Sequence, residues 1–167
     1  LATFGLTFEA WCYHTQLHEV IHLARQFPET LIVLDHLGGP LGVGPYSDQA
    51  TAVFLEWDRA MTELAACDNV VTKLGGLAME VNGFNWHRLP APPTSDDLLK
   101  GCAHYYERTI ELFGVDRCLF ESNFPVDKVS CGYNTLWNAF KKLTKDYSAS
   151  DKAKLFHDNA QRIYRIA

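Results

Sequence analysis

Hydrophobic positions along the chain follow two alternating patterns: short continuous runs, and longer stretches with an apolar residue every three or four positions. Leu6-Thr7-Phe8-Glu9-Ala10 leads into a helix predicted over about 16–27. Leu31-Ile32-Val33-Leu34, bounded by Pro28 and Gly38-Gly39, leads into one over about 48–66. Val70-Val71-Thr72-Lys73-Leu74 precedes Gly75-Gly76, a long loop and a helix over about 95–113. Arg117-Cys118-Leu119-Phe120-Glu121 runs on to Pro125, before helices over about 133–143 and 150–164. Strands alternating with helices build a parallel sheet through right-handed crossovers, and near-continuous apolar strands fit a sheet covered on both faces. No G-x-G-x-x-G or G-x-x-x-x-G-K-[ST] follows any run, so nucleotide-binding versions of the fold lack support. The expectation is an α/β domain over 1–167: four βα units with parallel strands, half of a (β/α)8 TIM barrel, with C-terminal helices.

Barrel chemistry sits where strands end and loops begin. Here those positions are polar: Tyr13-His14, Asp35-His36, Lys73 and Glu121-Ser122-Asn123. Side chains alternate along a strand, so an inward Asn123 brings Glu121 inward, with Cys118, Phe120 and Ser122 outward. The same parity turns Lys73 inward, beside Glu121 on the next strand. Asp35 takes the wrong parity to face inward beside His36 and is expected to fix a loop. Glu9 shares parity with Trp11, and no partner for it can be named. An amide has no site that titrates near neutrality, so Asn123 is no general base, though it can orient water or donate to an oxyanion. Glu121 is then the carboxylate expected to act as base or water-positioner with Lys73 setting its pKa; a structural ion pair beneath the site is the alternative. The aromatic loop Asn82–His87 follows a strand end, and Trp86 and His87 are its candidates for substrate contact. Gly38–Pro45 reads as a rim loop with tight turns, and His104 and His157 as surface or packing residues.

One motif competes. His18-Glu19-Val20-Ile21-His22 matches the zinc-protease helix pattern H-E-x-x-H. At helical spacing, however, Leu17, Val20, Ile21, Ala24 and Phe27 form the apolar face, which turns His18 and His22 to solvent. Composition narrows the rest. A formal net charge of −5 without a basic stripe argues against nucleic acid. No apolar run reaches the roughly 20 residues of a membrane span. Five scattered cysteines without a C-x-x-C pair fit a reducing compartment, so a cytoplasmic location is expected and thiolate zinc is not. The chain opens on Leu1 just before a strand-like run, which reads as a fragment.

The stretches Leu31–Pro40, Val70–Leu77 and Cys118–Asp127, with the closing Asn159-Ala160-Gln161-Arg162-Ile163-Tyr164, resemble the amidohydrolase-related (amidohydrolase 2) hydrolases in the family's order. That family includes lactonases acting on sugar lactones and pyrone dicarboxylates, and metal-dependent decarboxylases. The resemblance places Leu1 just before the fifth barrel strand, which would make the chain a C-terminal half. Family members carry a His-x-His pair on the first strand, and this chain has none. His36 matches the sixth-strand histidine that binds or polarises the substrate carbonyl, or assists a metal. His14 follows the fifth strand, where metal-dependent members supply a ligand. His14 and His36 are thus the metal candidates if a divalent ion such as zinc is bound, and otherwise His14 is a substrate-binding candidate. Asn123 stands where many members place the aspartate that activates water. The expected function is hydrolysis of a small lactone or related carbonyl substrate. The alternatives are a metal-dependent decarboxylase and an inactive half barrel. Two open sheet edges imply a need for the N-terminal half barrel or a partner chain.

Overall fold

The apolar runs become strands where continuous branched and aliphatic side chains are packed from both faces. The computed structural model describes residues 1–166. Its single sheet holds β1 (Phe8–Ala10), β2 (Ile32–Leu34), β3 (Val70–Leu74) and β4 (Cys118–Phe120), parallel and in chain order. The register pairs Glu9 with Val33, Val33 with Val71, and Lys73 with Leu119. Four strands in unreversed order put every crossover on one side, as in a barrel and unlike a doubly wound sheet.

The connecting helices are α1 (Leu17–Gln26), α2 (Ala50–Ala65), α3 (Ser95–Phe113) and α4 (Tyr133–Leu143). The sequence pattern places the four helices within a residue or two of these bounds. α3 starts where Thr94 caps it: the Asp97 N–H donates to the Thr94 hydroxyl and the Asp97 carboxylate accepts from the Thr94 N–H. The outer face of the sheet (Ile32, Leu34, Val70, Leu74, Cys118, Phe120) packs under Trp57, Tyr106 and Phe140 from the helices. The inner face is smaller, with Val33, Val71 and Leu119 meeting Ile163.

The helix expected over 150–164 is interrupted. It divides into α5 (Ala149–Ala153), a π-helical turn over Lys154–Asp158, and α6 (Asn159–Tyr164). The wider turn re-aims the chain, so that the Asn159 amide donates to the carbonyls of Val115 and Cys118 while Ile163 reaches the inner face. Apolar spacing cannot report such a turn, because one extra residue leaves the hydrophobic count almost unchanged.

The strands are anchored at their N-terminal ends. Asn69 Nδ2 donates to the carbonyls of Ala24, Phe27 and Thr30 at 3.0–3.1 Å. The Arg117 guanidinium donates to those of Ala65, Cys67 and Phe113. At the opposite end, the loops after β2 and β3 are joined by Gly42 N–H to Val81 O and Asn82 Nδ2 to Pro40 O. A Cβ at Gly42 would lie 2.3 Å from the Asn82 carbonyl oxygen, so only glycine allows that approach.

The α1 face is buried at Leu17, Val20, Ile21 and Ala24, but Phe27, expected with them, lies past the helix end and is 47% exposed. His18 and His22 are exposed, on the solvent side of α1 as the helical spacing implies. His104 is exposed, with its ring tilted against those of Phe54 and Tyr105, and exposed His157 pairs with Asp158. β1 pairs only with β2, and β4 only with β3, among the described residues. Leu6, Phe8 and Trp11 are exposed along β1, next to an apolar recess of about 250 Å3 lined by Phe8, Leu23, Phe27 and Ile32. No helix among the described residues is long and apolar enough to cross a membrane.

Replacing Asn69 by Ala strands three carbonyls at once and is expected to cost about 1–3 kcal/mol of stability. Urea unfolding measures it, and a midpoint within error of the unsubstituted chain would contradict the anchoring role.

Candidate active site

The inner-face parity that carries Val33, Val71 and Leu119 also carries the polar residues one step further along each strand. Asp35 lies two residues after Val33, Lys73 two after Val71, and Glu121 two after Leu119, while Glu9 sits in β1 itself. Lys73 Nζ lies 2.6 Å from the Glu9 carboxylate, 2.8 Å from that of Asp35 and 4.0 Å from that of Glu121. Two expectations need correction. Asp35 does face inward, because its parity is that of Lys73. The close partners of Lys73 are Glu9 and Asp35, with Glu121 more distant. The Tyr164 hydroxyl donates to Glu9 at 2.9 Å, and the ammonium lies 5.7 Å from the centre of the Tyr164 ring. Burial works against the Lys73 charge, but hydrogen bonds to Asp35 and Glu9 outweigh it and hold the ammonium well above the ordinary lysine range.

His36 also turns inward, by a different route. His36 and Leu37 both take left-handed backbone angles, φ 55°, so strand alternation stops at Asp35 and the next side chain swings back over the sheet end. The imidazole Nδ1 meets Glu121 Oε1 at 2.5 Å. Gly75-Gly76 makes the room for both: a Cβ at Gly75 would lie 2.4 Å from Glu121 Cγ, and one at Gly76 2.5 Å from His36 Nδ1. Trp11 meets the His36 ring edge-on at 4.8 Å.

Asn123, two residues past Glu121, has φ 51° and donates from Nδ2 to Asp127 Oδ1 at 2.8 Å. The other Asp127 oxygen accepts from the Ala78 N–H at 3.3 Å. Asp127 is fully buried, and burial pushes its carboxyl up to about 6, against the opposing pull of Asn123 and Ala78. Sequence reasoning missed Asp127. Its one signal was an acidic residue four positions after Asn123, directly after the apolar stretch Phe124-Pro125-Val126.

The remaining candidates make their contacts elsewhere. His14 is buried, its Nδ1 accepts from the Leu41 N–H at 3.2 Å, and its ring meets Tyr46 edge-on. Burial lowers its pKa, which suits a neutral ring acting as acceptor. Trp86 stacks on Phe84, with ring centres 4.5 Å apart, over Gly101 of α3. His87 accepts from the Arg88 guanidinium within the same loop. Beside this loop lies a cavity of about 170 Å3 lined by Pro40, Tyr46, Asn82, Phe84 and His104, and none of Lys73, His36 or Glu121 lines it.

The described donors of this chain do not by themselves make a complete divalent-metal site. No group of three or more His, Cys, Asp or Glu side chains is arranged around a common point among the described residues. Where Glu9 and Asp35 converge, the Lys73 ammonium already supplies the cation.

Two stability measurements follow. Replacing Lys73 by Met leaves Glu9, Asp35 and Glu121 repelling one another and should cost on the order of 2 kcal/mol at pH 8. The cost should shrink as the pH falls through about 4, where free carboxyls protonate; a cost independent of pH would contradict the charge balance. For Asp127 the folded value, about 6, exceeds the unfolded value, 3.8, so the folded state holds the proton more tightly. Its contribution to stability is fully present below pH 3.8 and is lost as the pH rises through about 6. Asp127→Asn removes this dependence, so its stability relative to the unsubstituted chain should rise between pH 4 and 7. A constant difference between the two would refute the buried-carboxyl assignment.

The family model described as Amidohydrolase matches residues 1–166. A Sinorhizobium fredii protein named only as uncharacterized protein y4mH is 41% identical over 99% of this chain and 49% of its own length. An L-fucono-1,5-lactonase of Burkholderia ambifaria is 30% identical over 96% of the chain and 50% of its own length. One from Burkholderia multivorans is 27% identical over 95% and 51%. A zinc-bound amidohydrolase structure from Burkholderia multivorans superposes with TM-score 0.85 at 24% identity, over 100% of this chain and 55% of that one. The chain thus spans about half the length of the curated relatives it matches, and its four βα units are half of a TIM barrel. With the family model covering all but the last residue, the chain belongs to the amidohydrolase family.

Proposed function

We propose that this chain supplies one half, the C-terminal one, of the catalytic rim of a lactonase-type hydrolase, in which water attacks the carbonyl of a small, sugar-derived lactone. The observation that carries the reading is the His36–Glu121 pair. An ionised carboxylate only accepts, so the imidazole hydrogen sits on Nδ1 and Nε2 is left without a partner among the described residues. Nε2 then takes a proton from water as the water oxygen bonds to the carbonyl carbon. It returns the proton to the ring oxygen as the carbon–oxygen bond breaks, and the product is a hydroxy acid. Glu121 holds the ring in this tautomer and stabilises the imidazolium, a role closer to orientation than to direct proton abstraction. The two relatives named L-fucono-1,5-lactonase support the substrate class, and Glu9 and Asp35 offer acceptors for sugar hydroxyls beside the pair.

The reaction belongs to a completed barrel. Both sheet edges are unpaired among the described residues, and a complementary half barrel, on a longer chain or a second one, would cover the exposed Leu6, Phe8 and Trp11. Hydrolysis of L-fucono-1,5-lactone by the completed barrel, followed as acid release, tests the proposal. Glu121→Gln should lower kcat by about 100-fold or more, because the amide NH2 can donate to Nδ1 and so favour the wrong tautomer, and because the neutral amide does not stabilise the imidazolium. Undiminished turnover would remove Glu121 from the mechanism.

A further inference from the structure

Asn123 and Asp127 form a unit that the His36–Glu121 chemistry does not use. An ionised carboxylate has no hydrogen to give, so Asn123 must show it the NH2 end of its amide, as Nδ2 does at 2.8 Å. The Asn123 Oδ1 is thereby turned away, and it has no hydrogen-bond partner among the described residues. Asn123 is part-buried, two residues beyond Glu121 on the same strand end. We propose that Asp127 is a positioning residue that fixes the Asn123 amide with its carbonyl toward the rim, where it accepts a hydrogen bond from the attacking water. The water part rests on the hydrolase reading; the orientation of the amide does not.

The surroundings of Asp127 make the arrangement switchable. Cys131 approaches from its own loop, and Cys102 and Tyr106 from α3, while the charges of Glu121 and His36 also reach Asp127. Burial raises the two thiols, Cys102 to about 12 and Cys131 to about 11, and raises the Tyr106 phenol, so all three are neutral at working pH. No lysine or arginine is among these neighbours, and Asp127 takes up a proton at about pH 6. The protonated carboxyl becomes a donor, the amide reverses, and Asn123 shows the rim its NH2 group instead of its carbonyl.

The direct test follows the Asn123 side-chain amide by nitrogen-15 NMR in the completed barrel from pH 8 to pH 5, with the resonance assigned through Asn123→Ser. A step in its nitrogen and proton shifts near pH 6 is expected, and its disappearance in Asp127→Asn. An unshifted amide, or a step that persists in Asp127→Asn, overturns the proposal. The titration of the unsubstituted protein needs no variant to fold. With lactone as substrate, Asp127→Asn should lower kcat by about 100-fold with KM nearly unchanged, the signature of a misplaced reacting group. It should also remove the acid limb near pH 6; unchanged kcat and pH profile refute a positioning role. A step in the amide shifts without any lactone turnover would sink the hydrolase reading and leave the amide orientation standing.

Discussion

Three carboxylates, one from β1 and two from the ends of β2 and β4, converge on one end of this sheet, and the Lys73 ammonium of β3 is what lets them do so. At 2.6 and 2.8 Å from Glu9 and Asp35 it neutralises the two closest charges, and at 4.0 Å it still attracts the third. Removing one member of such a part-buried group leaves the others uncompensated, which costs far more than the group gains as a whole. Because its charge is spent on Glu9 and Asp35, Lys73 leaves Glu121 free to bind His36. The His36–Glu121 pair therefore depends on an ion cluster one layer beneath it.

The molecule separates its anchoring hydrogen bonds from its inner-face charges along the strand direction. At the N-terminal strand ends, Asn69, Arg117 and Asn159 bind carbonyl oxygens and touch none of the inner-face charges. At the C-terminal ends the chain accepts what is otherwise avoided: left-handed His36, Leu37 and Asn123, and a fully buried acid in Asp127. Backbone in such conformations persists only where the surroundings hold it, and it clusters at working sites. Gly75 and Gly76 are part of that holding, because any side chain there would displace Glu121 or His36.

Much of this was legible in the sequence, and the failures have physical causes. Continuous apolar runs followed by helical spacing located all four βα units, since burial on both faces leaves a period that can be counted. Period-two parity placed Glu121 and Lys73 on the same face, again because the strand is regular there. Parity misplaced Asp35, which was counted against an inward His36, whereas Asp35 keeps the inward parity of Val33 and the left-handed turn at His36 brings the next side chain inward as well. Glu9 had no partner on paper because its partners, Lys73 and Tyr164, come from 64 and 155 residues along the chain. Asp127 escaped notice because a lone acid in a loop reads as solvated, and only the packing of α3 and the loop after β3 buries it.

The central claim is that the small-molecule site of this amidohydrolase lies over His36 and Glu121 and not in the cavity between the rim loops. A crystal structure of the completed barrel with a hydroxy-acid product would test it most directly. A product carboxylate oxygen is expected within about 3 Å of His36 Nε2, with sugar hydroxyls on Glu9 or Asp35. Product seated instead among Pro40, Tyr46, Phe84 and His104, with the His36–Glu121 pair untouched, would contradict it.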